Sequence, residues 1–422
     1  MLYDYKGDPL KKYPTLYGDG THDDTTALQA LVDTYDSVIL PAGLNIKITA
    51  PIEIDISKCK HFDGGNSTVT ASGNISAFVI SGSLTSSMSA NPNTLTADIM
   101  DGEASFIFEN CKIKNANSQQ GTGVVLDGCF KANIVNCYIH NINIGIAIRN
   151  QCRDIKITSN HIYACWSYGI HFESTCNLHQ CNIVDNIMNY ATYCIYLDQP
   201  VQIANFQIVG NDIEVSNYPN VNDKTVFRCI KIVSGNNIDG QLSEIEIAGN
   251  TIQGHDGSDT IIDISGGNSR KVRLVSITGN HISNCKANMM ELYNAADVSI
   301  TGNTVANAGG YVFSLSGQND NVAICGNVCS RVGSTNAGFV TAVDELRKAN
   351  ITGNNSVTTG EDPVSITATV FSDGMINGNV IAGTDTSIVV KPQQGTRNML
   401  CNNICASGTY DTNSSVTAVN NI

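Results

Sequence analysis

The apolar and polar positions of the chain repeat one short phrase: apolar-x-apolar-x-(Gly or polar)-Asn-x-apolar. It reads IKITSNHI at Ile155 to Ile162, FQIVGNDI at Phe206 to Ile213 and IEIAGNTI at Ile245 to Ile252. It returns as VSITGNHI at Val275 to Ile282 and VSITGNTV at Val298 to Val305. Alternation with period two predicts a strand. A second alternating run precedes each next copy: GIAIRN from Gly145, GIHFES from Gly169, CIYLDQ from Cys194 and CIKIVS from Cys229. No helical period fits between them, and the Leu/Asn consensus of a leucine-rich repeat is absent. Two or three short strands in about 25 residues predict one coil of a parallel β-helix, an all-β solenoid.

The repeated Asn falls at 160, 186, 211, 250, 280, 303, 327, 354, 379 and 402, with Cys111 and Cys137 in the same place upstream. The spacing is 23 to 30 residues, apart from one gap of 39 between Asn211 and Asn250. Consecutive coils pair at about 4.8 Å, so these amides are expected to stack as a ladder. A buried amide is costly alone and satisfied in a ladder, so the Asn repeat is architecture rather than chemistry. The Gly before it supplies a backbone conformation that a Cβ resists.

A solenoid grows in one dimension, which accommodates 422 residues in one continuous core. Aromatic residues make up 6% and charged residues 15%, as suits thin coils with polar turns. The net charge of −14 argues against nucleic acid as a partner, since that calls for a basic footprint. No apolar run reaches membrane length, and the N-terminus shows no basic-then-apolar signal segment. The 15 Cys are an odd number, and several stand at strand positions where they read as small reduced hydrophobes. No Cys/His cluster has zinc spacing, and nothing in the sequence calls for a metal or a cofactor.

The N-terminal part, residues 1–80, reads as a cap with the first coils. YGDGTHDDTTALQALVD, Tyr17 to Asp33, predicts a short helix capped by Asp23 or Asp24, with Ala27, Leu28, Ala30 and Leu31 on its apolar face. Such a helix plugs the open end of a solenoid. The polar stretch 81–105 reads as an irregular loop before regular coils over 106–422. The GDGxxDDTxALQ…LPAG run resembles the N-terminal signature of the pectate-lyase-like right-handed β-helix superfamily. That superfamily includes polygalacturonases, polysaccharide lyases and bacteriophage tailspike depolymerases. The resemblance implies a right-handed single-stranded β-helix acting on carbohydrate. The Asn-Thr-Asp, Asp-Asp, Gly-His-Gly and Arg-Ile-Lys motifs of polygalacturonases are missing, as is the Tyr-Gly-x-Asp-Pro-His motif of alginate epimerases. The calcium-and-arginine set of pectate lyases is not evident either. By elimination the chain is most similar to the tailspike branch. That implies a homotrimer on a virion tail or cell surface, assembled in a bacterial cytoplasm.

Register along the second strand separates inward from outward residues. Ile146/Ile148, Ile170/Phe172, Ile195/Leu197, Ile230/Ile232, Ile262/Ile264 and Met290/Leu292 point inward. One outward column runs Ala147, His171, Tyr196, Lys231, Asp263, Glu291, Ser314; the other runs Arg149, Glu173, Asp198, Val233, Ser265, Tyr293, Ser316. Glu173 and Asp198 are one coil apart, and two close carboxylates are what glycoside hydrolysis needs. A like-charge neighbour also raises the pKa of one of them. Trp166, Tyr163, Tyr168, Tyr190, Tyr193 and Tyr196 crowd this stretch and offer faces for sugar rings. Tyr163 reads as packing. Lys224, Arg228 and Lys231 are expected to bring positive charge to the site, and the insertion from Glu214 to Arg228 to wall it. Asp263 with Glu291, beside Tyr293, is the second candidate pair. His171 is a candidate base or hydrogen-bonding group for substrate.

These readings point to an endoglycosidase acting on a bacterial surface polysaccharide. The alternatives are a non-catalytic glycan-binding spike or adhesin, and a polysaccharide lyase using His171, Tyr196 or Lys231 as base.

Overall fold

The computed structural model describes residues 16–85, 94–103, 105–215, 227–234, 242–255, 259–267, 271–332, 338–358, 364–382, 387–392, 397–405, 409–412 and 416–419. Most of the 214–228 insertion, Lys224 included, and parts of the 81–105 loop lie outside them. The chain divides into two compact units, residues 1–207 and 208–422.

In the first unit, short strands pair in parallel with strands one coil away. Ser76–Ser81 pairs with Thr122–Asp127, which pairs with Tyr138–Arg149, which pairs with His161–Phe172. His161–Phe172 in turn pairs with Tyr193–Asp198. The predicted inward residues Ile146, Ile148, Ile170, Phe172, Ile195 and Leu197 are all fully buried. Each such side chain contributes about 1.5–3 kcal/mol by leaving water. Phe62 and Phe78 from one coil and Phe108 from the next meet in the same core, with ring centroids 4.8 to 5.2 Å apart. Gly169 marks a close approach between coils, since a Cβ there would stand 2.5 Å from the Cys194 carbonyl.

The first helix, α1 (Thr25–Thr34), buries Ala27, Leu28, Leu31 and Val32. Val32 takes the place expected for Ala30, because the buried stripe turns toward the coil beneath it. Asp24 occupies the N-cap position, yet its carboxylate accepts from the Tyr17 and Gly18 amides instead. Asp23 accepts from the Thr25 amide and the Thr49 hydroxyl. The acidic residues of this N-terminal run therefore tie turns together. The 81–105 stretch is not wholly irregular. A second helix, α2 (Ala97–Gly102), forms there because Thr96 caps it by accepting from the Ile99 amide, and Ile99 is buried. Regular pairing also precedes this stretch: Thr68 registers with Lys112 across it.

In the second unit the same stacking runs from Arg228–Val233 through Thr260–Ser265 and Asn288–Tyr293 to Phe313–Ser316. Ile230, Ile232, Ile262, Ile264, Met290 and Leu292 are buried as expected. The last described strand, Val416–Val419, pairs with Asn398–Cys401.

The Asn ladder is present in both units. The Asn160 amide nitrogen donates to the Ile134 carbonyl and to Oδ1 of Asn186, at 3.0 Å each. Asn280 repeats this with Ile247 and Asn303, and Asn303 with Ile277 and Asn327. The residue before each rung sits at positive φ, from Ser159 (57°) to Gly279 (64°) and Gly378 (63°). The final rung corrects the sequence reading. Asn379 donates to Oδ1 of Asn403, not of Asn402. Asn403 is fully buried, whereas Asn402 is exposed with φ of 54°. Asn402 therefore does what glycine does elsewhere, since Asn tolerates the left-handed region.

Candidate active site

Tyr168 and Tyr193 register one coil apart, as do His171 and Tyr196. The four rings stack into one cluster, a ring plate two coils deep. Tyr168 stacks on His171 with centroids 4.3 Å apart, and Tyr193 on Tyr196 at 5.0 Å. Between coils, Tyr168 lies 5.8 Å from Tyr193 and His171 lies 5.6 Å from Tyr196. These four interplanar angles are 15° to 27°, so the rings lean the same way.

Asp198 closes one edge of the plate. Its Oδ1 accepts from the Tyr196 hydroxyl at 2.9 Å, and its Oδ2 stands 3.8 Å from His171 Nε2. The latter is an ionic approach, beyond hydrogen-bond reach. His171 is 9% exposed, and neither ring nitrogen has a hydrogen-bond partner among the described residues. Burial pushes its pKa below the ordinary histidine value, against the pull of Asp198. Burial raises the Tyr196 phenol, and the bond to Asp198 adds to it by favouring the protonated donor. Tyr168 is raised as well, by burial and then by the Asp198 charge.

Glu173 follows strand His161–Phe172 and is half-buried, its amide donating to the Ile148 carbonyl. Burial raises its pKa; Arg149 opposes this and the Asp127 charge adds to it. The expected cause, repulsion from Asp198, is not among these. Asp198 turns to Tyr196, while the Glu173 environment is set by Arg149 and Asp127, which bond each other at 2.9 Å. Trp166 occupies the corner of the same strand, half-buried, its carbonyl accepting from Thr192 at 2.9 Å. Tyr163 packs edge-on against Tyr190 at 5.1 Å.

In the second unit, Asp263 registers with Lys231 on one side and Glu291 on the other, and Ser265 with Tyr293. Asp263 is 5% exposed, pairs with Arg228 Nη1 and accepts from the Ser265 hydroxyl at 2.7 Å. Arg228 also pairs with Asp259 at 2.7 Å. Arg228 thus serves Asp259 and Asp263 rather than the Glu173/Asp198 site for which it was expected. Glu291 accepts from Asn288 at 3.0 Å, and Tyr293 is exposed. Asp259 was missed because it precedes the alternating run that defines the columns.

Residues 54–252 match the family model for the right handed beta helix region. The chain is a right-handed parallel β-helix. Solved structures with the same β-helix include the tailspike protein of E. coli bacteriophage HK620 in complex with pentasaccharide. One mutant form aligns with a TM-score of 0.56 at 11% identity, over 99% of this chain and 77% of that one. An Asp→Ala, Glu→Ala double mutant of it aligns at 0.55 and 10% identity, over 99% and 76%. The A-module of the Azotobacter vinelandii mannuronan C-5 epimerase AlgE6 aligns at 0.52 and 12% identity, over 92% and 96%. At these identities the likeness is one of β-helix architecture. Among curated proteins, none matches the sequence.

Proposed function

We propose that this β-helix is a polysaccharide depolymerase that hydrolyses a bacterial surface glycan over the ring plate of the first unit. The observation that carries the reading is the plate itself: Tyr168, His171, Tyr193 and Tyr196 stacked across two coils, with Asp198 fastened at its edge. Stacked aromatic side chains offer rigid amphipathic surface to sugar rings, and a carboxylate beside them suits chemistry at the glycosidic bond. Glu173 is the general acid. Burial keeps its proton on at a higher pH than an exposed Glu would hold it. Asp198 is the opposing carboxylate, serving as base toward water or as nucleophile. The pentasaccharide carried by the HK620 tailspike, in a form lacking one Asp and one Glu, supports carbohydrate as the ligand class. On the same reading the chain works as a homotrimer on a virion tail or cell surface, and a trimeric mass by light scattering tests that.

Glu173→Gln and Asp198→Asn are expected to abolish release of reducing ends from capsular or O-antigen glycans while glycan binding persists. Normal cleavage by both variants sinks the assignment of this pair. Absence of new reducing ends with any glycan leaves a binding spike as the function.

A second reading, β-elimination of a uronic acid chain, is favoured by one observation. His171 is buried, burial lowers its pKa and so favours the neutral imidazole, and its ring nitrogens have no hydrogen-bond partner among the described residues. On this reading its neutral imidazole is the base. An unsaturated sugar end, seen by ultraviolet absorbance, separates elimination from hydrolysis.

A further inference from the structure

The face that follows the Asn turn in the first unit differs in charge from the rest of this chain of net charge −14. Two outward rows run along it in register, Lys112–Tyr138–His161 and Lys114–His140–Tyr163. Neither row holds a carboxylate. The coil before them supplies Thr68 and Thr70, and the coil after supplies Ile187 and Asn189. Four lysine and histidine side chains therefore share a strip from which Asp and Glu are absent over five coils. Lys112 is exposed and Lys114 half-buried, and neither forms an ion pair among the described residues. The nearest acids beyond the turn are already occupied. Asp63 accepts from the Gly65 amide and Asn110, and Glu109 bonds His61 at 2.9 Å. His140 registers the sign of this field. Burial lowers its pKa, and the Lys114 and His161 charges lower it further.

The strip also carries rings. Tyr138 stacks on His140 at 4.4 Å and leans on His161 at 5.0 Å, and His161 meets Tyr163 edge-on at 5.7 Å. Beside Lys112, Tyr138 and His161 opens a cleft of about 170 Å³, with Asn136 and Ser159 on its wall. That volume falls below the ~300 Å³ of a typical site for a drug-sized ligand, so it receives part of a longer chain.

We propose that this strip is a second saccharide site, distinct from the ring plate, that binds an acidic oligosaccharide. Lys112 and Lys114 meet its anionic groups and Tyr138 packs against a sugar face. A neutral glycan has no use for unpaired lysines on an acidic protein. Nucleic acid meets the repulsion of the whole chain.

The test uses the full chain carrying Glu173→Gln, so that the first site does not consume the probe, and calorimetric titration at low salt. Alginate oligosaccharides are the acidic probe, dextran oligosaccharides of matched length the neutral one, and single-stranded DNA the competing polyanion. Alginate is expected to bind, to weaken as salt screens the lysines, and to lose at least 10-fold in affinity in the K112E/K114E variant. Should that variant melt early, Lys112→Met with Lys114→Met takes its place with the same expected loss. Unchanged alginate affinity in a folded charge-removed variant overturns the proposal. So does dextran binding as tightly as alginate, or DNA binding more tightly.

Discussion

The Tyr196 hydroxyl donates to Oδ1 of Asp198, 2.9 Å away and two positions further along the same strand. The bond ties the candidate carboxylate to the ring plate. Tyr196→Phe keeps the ring and removes the donor. A hydrogen bond to a charged group contributes about 1.5–3 kcal/mol, so cleavage is expected to fall roughly 10- to 100-fold while glycan affinity changes little. Initial rates of reducing-end release beside a binding titration measure both.

Glu173 has a raised pKa whose first cause is burial. A carboxyl raised in the folded state favours folding below its unfolded pKa of about 4.3, and that contribution is lost as pH rises through the folded value. Glu173→Gln removes the dependence. The variant is therefore expected to melt higher than the parent at pH 7, with the gap closing as pH falls below about 4. Melting curves across that range check the sign. If Glu173 is the general acid proposed above, the alkaline limb of the cleavage profile is expected at its own titration.

His171 titrates in the other direction. Its folded pKa is depressed by burial, so the stability it contributes is present above about 6.5 and is lost as pH falls through the folded value. Its ring signals in a histidine-labelled NMR titration are expected to turn over below those of an exposed histidine. A midpoint at or above the ordinary value contradicts the buried neutral imidazole.

The two asparagines at 402 and 403 have opposite duties. Oδ1 of Asn403 accepts from both the amide and the side chain of Asn379, so Asn403→Ala strands two buried donors and is expected to cost at least about 2 kcal/mol. Asn402→Gly only relaxes a left-handed residue and is expected to stay within about 1 kcal/mol of the parent. Urea denaturation of the pair compares them directly.

Arg228 holds Asp263, and both side chains are largely buried. Removing one partner of a buried pair costs about 3–5 kcal/mol, so Arg228→Met is expected to lower the urea midpoint sharply. Adding Asp263→Asn to it is expected to recover part of that loss, because the stranded charge is then gone.

The inward pairs from Ile146/Ile148 to Met290/Leu292 were legible because a period-two pattern can bury only one set of side chains. The columns were legible for the same reason, and Ala147, His171 and Tyr196 register as the alternation required. Side-chain direction was not. Register pairs Phe172 with Leu197, one residue short of Glu173 and Asp198, and it says nothing of the rotamer that turns Asp198 toward Tyr196. Nor does it show that Arg149 bonds Asp127. The lysine and tyrosine strip announced itself only as Tyr-x-His at Tyr138 and His-x-Tyr at His161, too short to separate from packing. Asn402 and Asn403 were hard to tell apart because asparagine suits both the left-handed position and the ladder rung.

The left-handed residue before each rung has a further meaning. Between Asn280 and Asn327 every coil opens with the same turn and closes on the same pair of amide bonds. A coil there is an interchangeable segment with matching ends. Removing one from Asn303 to Gly326 leaves Asn280 facing Asn327, an identical acceptor. The chain can be spliced in whole coils, each changing its reach by about 4.8 Å.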